Sequence, residues 1–304
     1  MKFVLLRCCT TPIFLKHYET SVDAVLERLG IEVVGDEEFN CCGYPLRNFS
    51  PGAYLLASAR DLALAEKKGM NILTACSCCY GSLKRAGHTL DQNPALKEHV
   101  NETLARDGLS YGGRVEAKHL LQVLHDDIGP ETIQGMVEEK MKGVRVAVHY
   151  GCHLLRPNES VAFDNPFSPV KFDRLVEATG ARSIPWPSKL DCCGSPLLGT
   201  NDELSMDLTA TKLANARKAG ADLLCVICPL CQIQFDRVQK MMLQQGSIQD
   251  YLPSILFTQL LGLSLGIDEE RLGLDKGLLP TCGVEHLNLF APAKPVGGPS
   301  ASAR

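Results

Sequence analysis

Cys41-Cys42-Gly43-Tyr44-Pro45-Leu46 returns in the second half of the chain as Cys192-Cys193-Gly194-Ser195-Pro196-Leu197. Outward from either copy, the same residues follow in the same order. Upstream is a cysteine just after a short apolar run, Cys9 after Phe3–Leu6 and Cys152 after Val144–Val148. Downstream is a C-x-x-C pair, Cys76/Cys79 or Cys228/Cys231. The intervening lengths are 31, 33 and 2 residues in the first half and 39, 34 and 2 in the second. Chance does not give that agreement, so the chain is read as one plan used twice.

Between the cysteines the pattern alternates between helix and strand. Val22, Val25, Leu26 and Leu29 form the stripe of an amphipathic helix. Gly30 ends it, and Ile31–Val34 has the β-branched character of a buried strand. A helix over Ala53–Lys68 stops at Gly69 and leads into a strand at Asn71–Thr74. The second half matches, with helices over Val170–Thr179 and Asp202–Ala219, each closed by glycine, and a strand at Asp222–Val226. The alternation predicts an α/β fold of two pseudo-symmetric domains built from parallel βαβ units. Every cysteine group then falls on a loop at the carboxyl end of a strand, where the groups can converge. The expected organisation is a first domain over 1–110, a connecting segment over 111–144 with Lys118–Leu124 helical, and a second domain over 145–290. Residues 291–304, rich in Ala, Pro, Gly and Ser, are expected to be a disordered tail.

Fourteen cysteines in 304 residues fall short of the roughly 8–10% that marks a disulfide scaffold. With 45% apolar residues the chain can build a core without staples. Met1–Leu6 is too short for a signal-peptide core, so a cytoplasmic protein is expected. Thiols stay reduced there, and many of them point to metal or redox chemistry. A net charge of −4 offers no electrostatic case for nucleic acid or an anionic membrane surface. The longest apolar stretch, Ile255–Leu265, is too short to span a bilayer, so no direct membrane insertion is expected.

Thiolates suit iron–sulfur clusters and zinc. Zinc takes four ligands, usually from two C-x-x-C knuckles. Each half here offers five cysteines, only one C-x-x-C, and an adjacent pair whose side chains diverge. A cluster presents separate irons that neighbouring thiolates can reach individually. The glycine after the pair tolerates positive φ and is expected to let backbone approach the cluster. A zinc-stabilised scaffold is the alternative. Cys225, Cys228 and Cys231 open like a cubane-binding run, but Phe235 and Asp236 stand where its closing Cys-Pro belongs. Cys225 lies inside an apolar strand and reads as a buried, inert thiol.

These motifs resemble the CCG-domain family, whose best-known member is the B subunit of heterodisulfide reductase. The likeness covers about residues 1–290 and includes Gly151-Cys152-His153, Lys118–Leu124 and Gln259-Leu260-Leu261 ahead of Gly266. It implies two non-cubane 4Fe–4S clusters. Cys9, Cys41, Cys42, Cys76 and Cys79 would hold the first, and Cys152, Cys192, Cys193, Cys228 and Cys231 the second. Cys8, Cys78, Cys225 and Cys282 are left over, with Cys8 and Cys78 open as substitutes for a first-set ligand or as neighbouring redox thiols.

The resemblance also implies an oxidoreductase acting on sulfur groups, with a disulfide or carrier-bound sulfur substrate between the clusters. The chain has neither a complete cubane run nor a Gly-rich dinucleotide fingerprint. The implied partners are therefore a C-type (HdrC-like) subunit with cubane iron–sulfur clusters and an A-type (HdrA-like) flavin subunit. The Ala/Pro-rich end points towards the bacterial sulfur-oxidising type. The rival reading is a non-catalytic electron-transfer subunit, as in lactate- or glycolate-oxidising systems. His153 is the candidate catalytic residue, because splitting a disulfide into two thiols consumes protons. His149 reads as a histidine satisfied by backbone carbonyls. Arg47, Arg156 and Lys189 are candidate attractors of an anionic substrate, and Trp186 is expected to pack over the second cluster.

Overall fold

The computed structural model describes residues 1–138 and 141–274. Cys282 and the expected tail lie outside the described residues. Two four-stranded sheets carry the fold. The first contains β1 (Lys2–Leu5), β2 (Glu32–Val34), β3 (Ile72–Thr74) and β4 (Ala117–His119), in the order β2-β1-β3-β4. The second contains β5 (Arg145–His149), β6 (Arg182–Ser183), β7 (Leu223–Val226) and β8 (Ser254–Leu256), in the order β6-β5-β7-β8. Every pair is parallel. Central strands such as Ile72–Thr74 and Leu223–Val226 are buried along their whole length, as helices on both faces require.

Four helices come where the sequence pattern places them, and three more follow β3, β7 and β8. α1 (Lys16–Arg28) buries Val22, Val25 and Leu26. α2 (Pro51–Lys68) starts at Ser50, whose side chain accepts from the Ala53 amide, and stops at Gly69 with φ +64°. α3 (Ser77–Gln92) leaves the end of β3 with Cys76 as its first cap. In the second half α4 (Lys171–Ala178) parallels α1, and α5 (Asp202–Lys218), capped by Asn201, parallels α2. α6 (Pro229–Ile233), capped by Cys228, parallels α3, and α7 (Phe257–Ser264) follows β8.

One expected helix is corrected. Lys118–Leu124 splits, with its first residues forming β4 against β3 and the helix starting only at Leu120. The segment expected to connect the halves thus supplies the fourth strand of the first sheet. His119 makes the switch. It is fully buried, its Nδ1 accepts the Leu121 amide, and its Nε2 lies 3.0 Å from the Ala75 carbonyl. β8 is the matching strand of the second sheet.

The halves then interlock. α7 of the second half packs on α1 of the first, where Ser21 Oγ meets Thr258 Oγ1 at 2.7 Å and the Tyr18 hydroxyl donates to the Ile227 carbonyl at 3.1 Å. From α3 the Tyr80 hydroxyl donates to the Val161 carbonyl at 2.9 Å. One continuous apolar core results.

Gly43 and Gly194 have φ +83° and +93°. A Cβ would stand 2.8 Å from the Tyr54 carbonyl oxygen in the first case and 2.5 Å from that of Ser205 in the second. The tight approach these glycines permit is thus to the following helix. Gly194→Ala combines backbone strain with a clash against helical backbone, and should cost about 2–4 kcal/mol of stability. Thermal unfolding followed by circular dichroism reads this as a lowered Tm, and an unchanged Tm would refute it.

Candidate metal centre

In each sheet the order reverses about its first strand, which places the loops after that strand and its neighbour at a natural binding crevice. The cysteines occupy those loops. Cys8 and Cys9 follow β1, Cys41 and Cys42 follow β2, and Cys76, Cys78 and Cys79 follow β3. Cys152, Cys192/Cys193 and Cys228/Cys231 follow β5, β6 and β7. All thirteen described cysteines are free thiols. Cys9 Sγ lies 3.4 Å from Cys41 Sγ, Cys231 Sγ lies 3.5 Å from Cys193 Sγ, and Cys78 Sγ lies 3.9 Å from Cys228 Sγ. These separations are well beyond a disulfide bond.

Each adjacent pair is pinned in the same way. The Ser58 hydroxyl donates to the Cys42 carbonyl at 2.6 Å and the Thr209 hydroxyl to that of Cys193 at 3.0 Å. The Gly194 amide reaches Cys192 Sγ at 3.4 Å. Thiol donation from Cys42 and Cys9 draws Cys41 down to about 3, and donation from Cys152 and Cys193 draws Cys192 down to about 2. Cys42 and Cys193 are pushed up to about 12, first by bonding to those same thiolates. Both halves therefore place the more acidic thiol of the pair at the same half-buried position.

The halves also differ. Cys8, Cys76 and Cys79 place their sulfurs within 4.8 Å of one another, so the first set gathers Cys8 as well as the exposed Cys9. Gly151 and Leu230 stand where the second half would match Cys8 and Cys78. Cys76, Cys78 and Cys228 form a second trio within 4.8 Å, which joins the two sets into one sulfur network. His149 completes a third trio with Cys193 and Cys231. Its Nε2 lies 3.3 Å from Cys231 Sγ, so a sulfur joins the backbone of Lys189 among its partners. The readable signal was a polar residue where the first half has Leu6.

Cys225 lies within β7, opposite Val148 on one side and Ile255 on the other. Burial alone pushes its thiol up. Cys225→Ala should leave metal content unchanged and cost on the order of 1 kcal/mol of packing. Halved iron in that variant would show the second ligand set to be wrongly drawn.

Between the sets lies a cavity of roughly 20 Å³, lined by Tyr44, Cys78, Cys152, His153, Cys193 and Cys228 among others. That is room for about one water. His153 Nε2 sits 3.2 Å from the Tyr44 hydroxyl and 3.5 Å from an Arg47 nitrogen, and Arg47 lies 4.6 Å over the Tyr44 ring. Burial lowers His153 to about 4. Lys189 is engaged elsewhere, on Asp173 at 2.6 Å, and Arg156 donates to the Leu190 carbonyl at 3.4 Å. Trp186 is buried, donates to the Val148 carbonyl at 3.0 Å, and carries the Lys212 ammonium 4.8 Å from its ring centre.

Residues 6–84 and again 146–236 match the CCG cysteine-rich domain. The chain belongs to the CCG cysteine-rich domain family. This CCG protein is 33% identical over 280 residues to the B subunit of a ferredoxin:CoB-CoM heterodisulfide reductase of Methanosarcina mazei, covering 90% of this chain and 93% of that one. It is 35% identical over 260 residues to an 8-methylmenaquinol:fumarate reductase membrane anchor subunit of Wolinella succinogenes, covering 85% and 90%. A crystal structure of a hypothetical protein from Helicobacter pylori shares the fold, with a TM-score of 0.72 at 18% identity over 91% of this chain and 51% of that one. The chain thus spans about half the length of that structure. Two CCG units, the merged thiol sets and the heterodisulfide reductase relatives together mark an iron–sulfur redox subunit. No helix among the described residues is long and apolar enough to cross a membrane.

Proposed function

We propose that this chain is the disulfide-handling subunit of a heterodisulfide-reductase-like complex. It would hold one non-cubane 4Fe–4S cluster at Cys9, Cys41, Cys42, Cys76 and Cys79 and another at Cys152, Cys192, Cys193, Cys228 and Cys231. The observation that carries the reading is the cavity where the two sulfur sets meet, with the hydrogen-bonded His153 and Tyr44 in its lining. The donor chemistry fits. More than four soft thiols converge in each half, most of them buried, and this exceeds the demand of a tetrahedral zinc ion. When bound, such clusters supply one-electron redox chemistry and iron sites with affinity for sulfur.

The chain's own residues supply the rest. Splitting a disulfide takes two electrons and two protons and yields two thiols. His153 and Tyr44, hydrogen-bonded to each other in the cavity lining, are placed to relay a proton there, the buried ring being neutral at neutral pH. Arg47 beside them offers a positive charge to an anionic substituent. The electrons would come from an HdrC-like cubane subunit and an HdrA-like flavin subunit in the cytoplasm. In the sulfur-oxidising direction they would leave by the same route.

A second reading is favoured by two observations. The cavity, with room for about one water, is too small for a disulfide, and one relative at 35% identity belongs to a fumarate reductase. In that reading the chain is an electron relay. Anaerobically purified protein should hold about eight irons with matching acid-labile sulfide. Stoichiometric zinc without sulfide would overturn both readings. Dye-reduced protein should consume an organic disulfide or persulfide. Electron transfer to an acceptor dye with every such substrate left intact would leave the relay standing alone.

A further inference from the structure

α2 and α5 lie under the two Cys-Cys-Gly loops in the same way, yet carry opposite buried groups. Ser50 and Asn201 cap them, and Ser58 and Thr209 pin the two loops at matching positions. Three residues further on, the first half has Asp61 and the second has Lys212. Both are buried, at 0% and 2% exposure. Asp61 Oδ1 accepts the amide of Asn40, the residue before Cys41, at 3.3 Å, and its Oδ2 has no partner. The Lys212 ammonium donates to the carbonyl of Asp191, the residue before Cys192, at 3.0 Å and to the carbonyl of Ser188.

A buried ammonium whose direct partners are carbonyls needs a negative counter-charge nearby. Burial lowers Lys212 to about 8, which keeps it charged at neutral pH. Asp191 and the thiols Cys193, Cys231 and Cys192 pull the other way, towards the charged form. The first set has no cation at this position, whichever state Asp61 adopts.

We propose that Lys212 makes the second thiol set the electron-retaining one, by raising the reduction potential of the cluster held there above that of the first. The proposal rests on both sets being iron–sulfur sites. Local charge is one of the levers that set a cluster's potential, and a positive charge favours the added electron. Lys212 acts from behind the loop and touches no ligand sulfur, so it is a positioning residue for charge. Electrons would enter at the first set, whose Cys9 is exposed, and settle on the second.

The test is a potentiometric titration of the anaerobic holoprotein, read by visible absorbance and electron paramagnetic resonance. Two reduction waves are expected, and loss of the upper one in Cys193→Ala assigns it to the second set. Lys212→Gln, which keeps a donor but drops the charge, should weaken that reduction at least about tenfold, a shift of about 59 mV for a one-electron step. Lys212→Met, which keeps the stem beneath Trp186, should do the same, and Lys212→Arg should restore the original value. Asp61→Asn should leave the upper wave in place. Unmoved waves in both neutral variants, with iron and sulfide intact, overturn the role of Lys212 while leaving the metal assignment standing. Zinc in place of iron in the parent protein would fell the metal assignment itself, and this inference with it.

Discussion

Cys193→Ala is expected to lose half of the iron, about four atoms of about eight, with matching loss of acid-labile sulfide. Cys193 is buried, its carbonyl is fixed by Thr209, and its sulfur stands 3.5 Å from Cys231. Among the described residues the second half has no spare thiol of its own beside Cys193. The positions that could supply one are Gly151 and Leu230, Cys225 is buried within β7, and Cys78 of the first half stands at Cys228, 3.9 Å away. Cys42→Ala removes the equivalent sulfur from the first set but leaves Cys8 beside Cys76 and Cys79. That variant should therefore keep more of its iron than Cys193→Ala does. Iron and sulfide assays on both proteins, with thermal melts to show that each is folded, check the ordering. Full iron in Cys193→Ala would sink the second ligand set, and equal losses in both variants would show that Cys8 does not substitute.

The duplication was legible because its signals are chemical rather than periodic. Cysteine and the positive-φ glycines are needed at fixed places, so they survive in both copies while the residues between them drift. Of the helices, α1, α2, α4 and α5 were legible from stripes and glycine stops, whereas α3, α6 and α7 were not. β4 and β8 were not, because a strand of three residues is too short to show a two-residue period and merges with the apolar helix after it. The junction of the two thiol sets was hidden for another reason. Cys78 meets Cys228 across 150 residues, and that contact exists only because the two halves pack together. The Asp61/Lys212 contrast can be found by aligning the two Cys-Cys-Gly copies, but charged residues on a helix read as solvent-facing until burial is known.

The same asymmetry sharpens a test of mechanism. If each cluster captures one sulfur of a disulfide, neither set completes turnover alone. Cys41→Ala and Cys192→Ala should then each abolish disulfide cleavage while the surviving set remains redox-active. The two residues occupy matching half-buried places, and each is the most acidic thiol of its pair. Their removal is thus the same chemical deletion made in either half. A relay with one catalytic set predicts otherwise. Loss of the terminal set stops the chemistry, whereas a small reductant that reaches either set directly bypasses loss of the first. The deciding measurement is turnover of both variants with such a dye, at equal protein and with iron counted in each sample. Substantial activity in one variant that has lost that set's iron, and none in the other, refutes the two-set mechanism for this protein. Any survivor should be Cys41→Ala, for two reasons with separate physical origins. Cys8 leaves a replacement sulfur near the first set, and Lys212 leaves the second set the one on which electrons settle. Iron content separates them, because a repaired first set keeps its metal and a bypassed one does not.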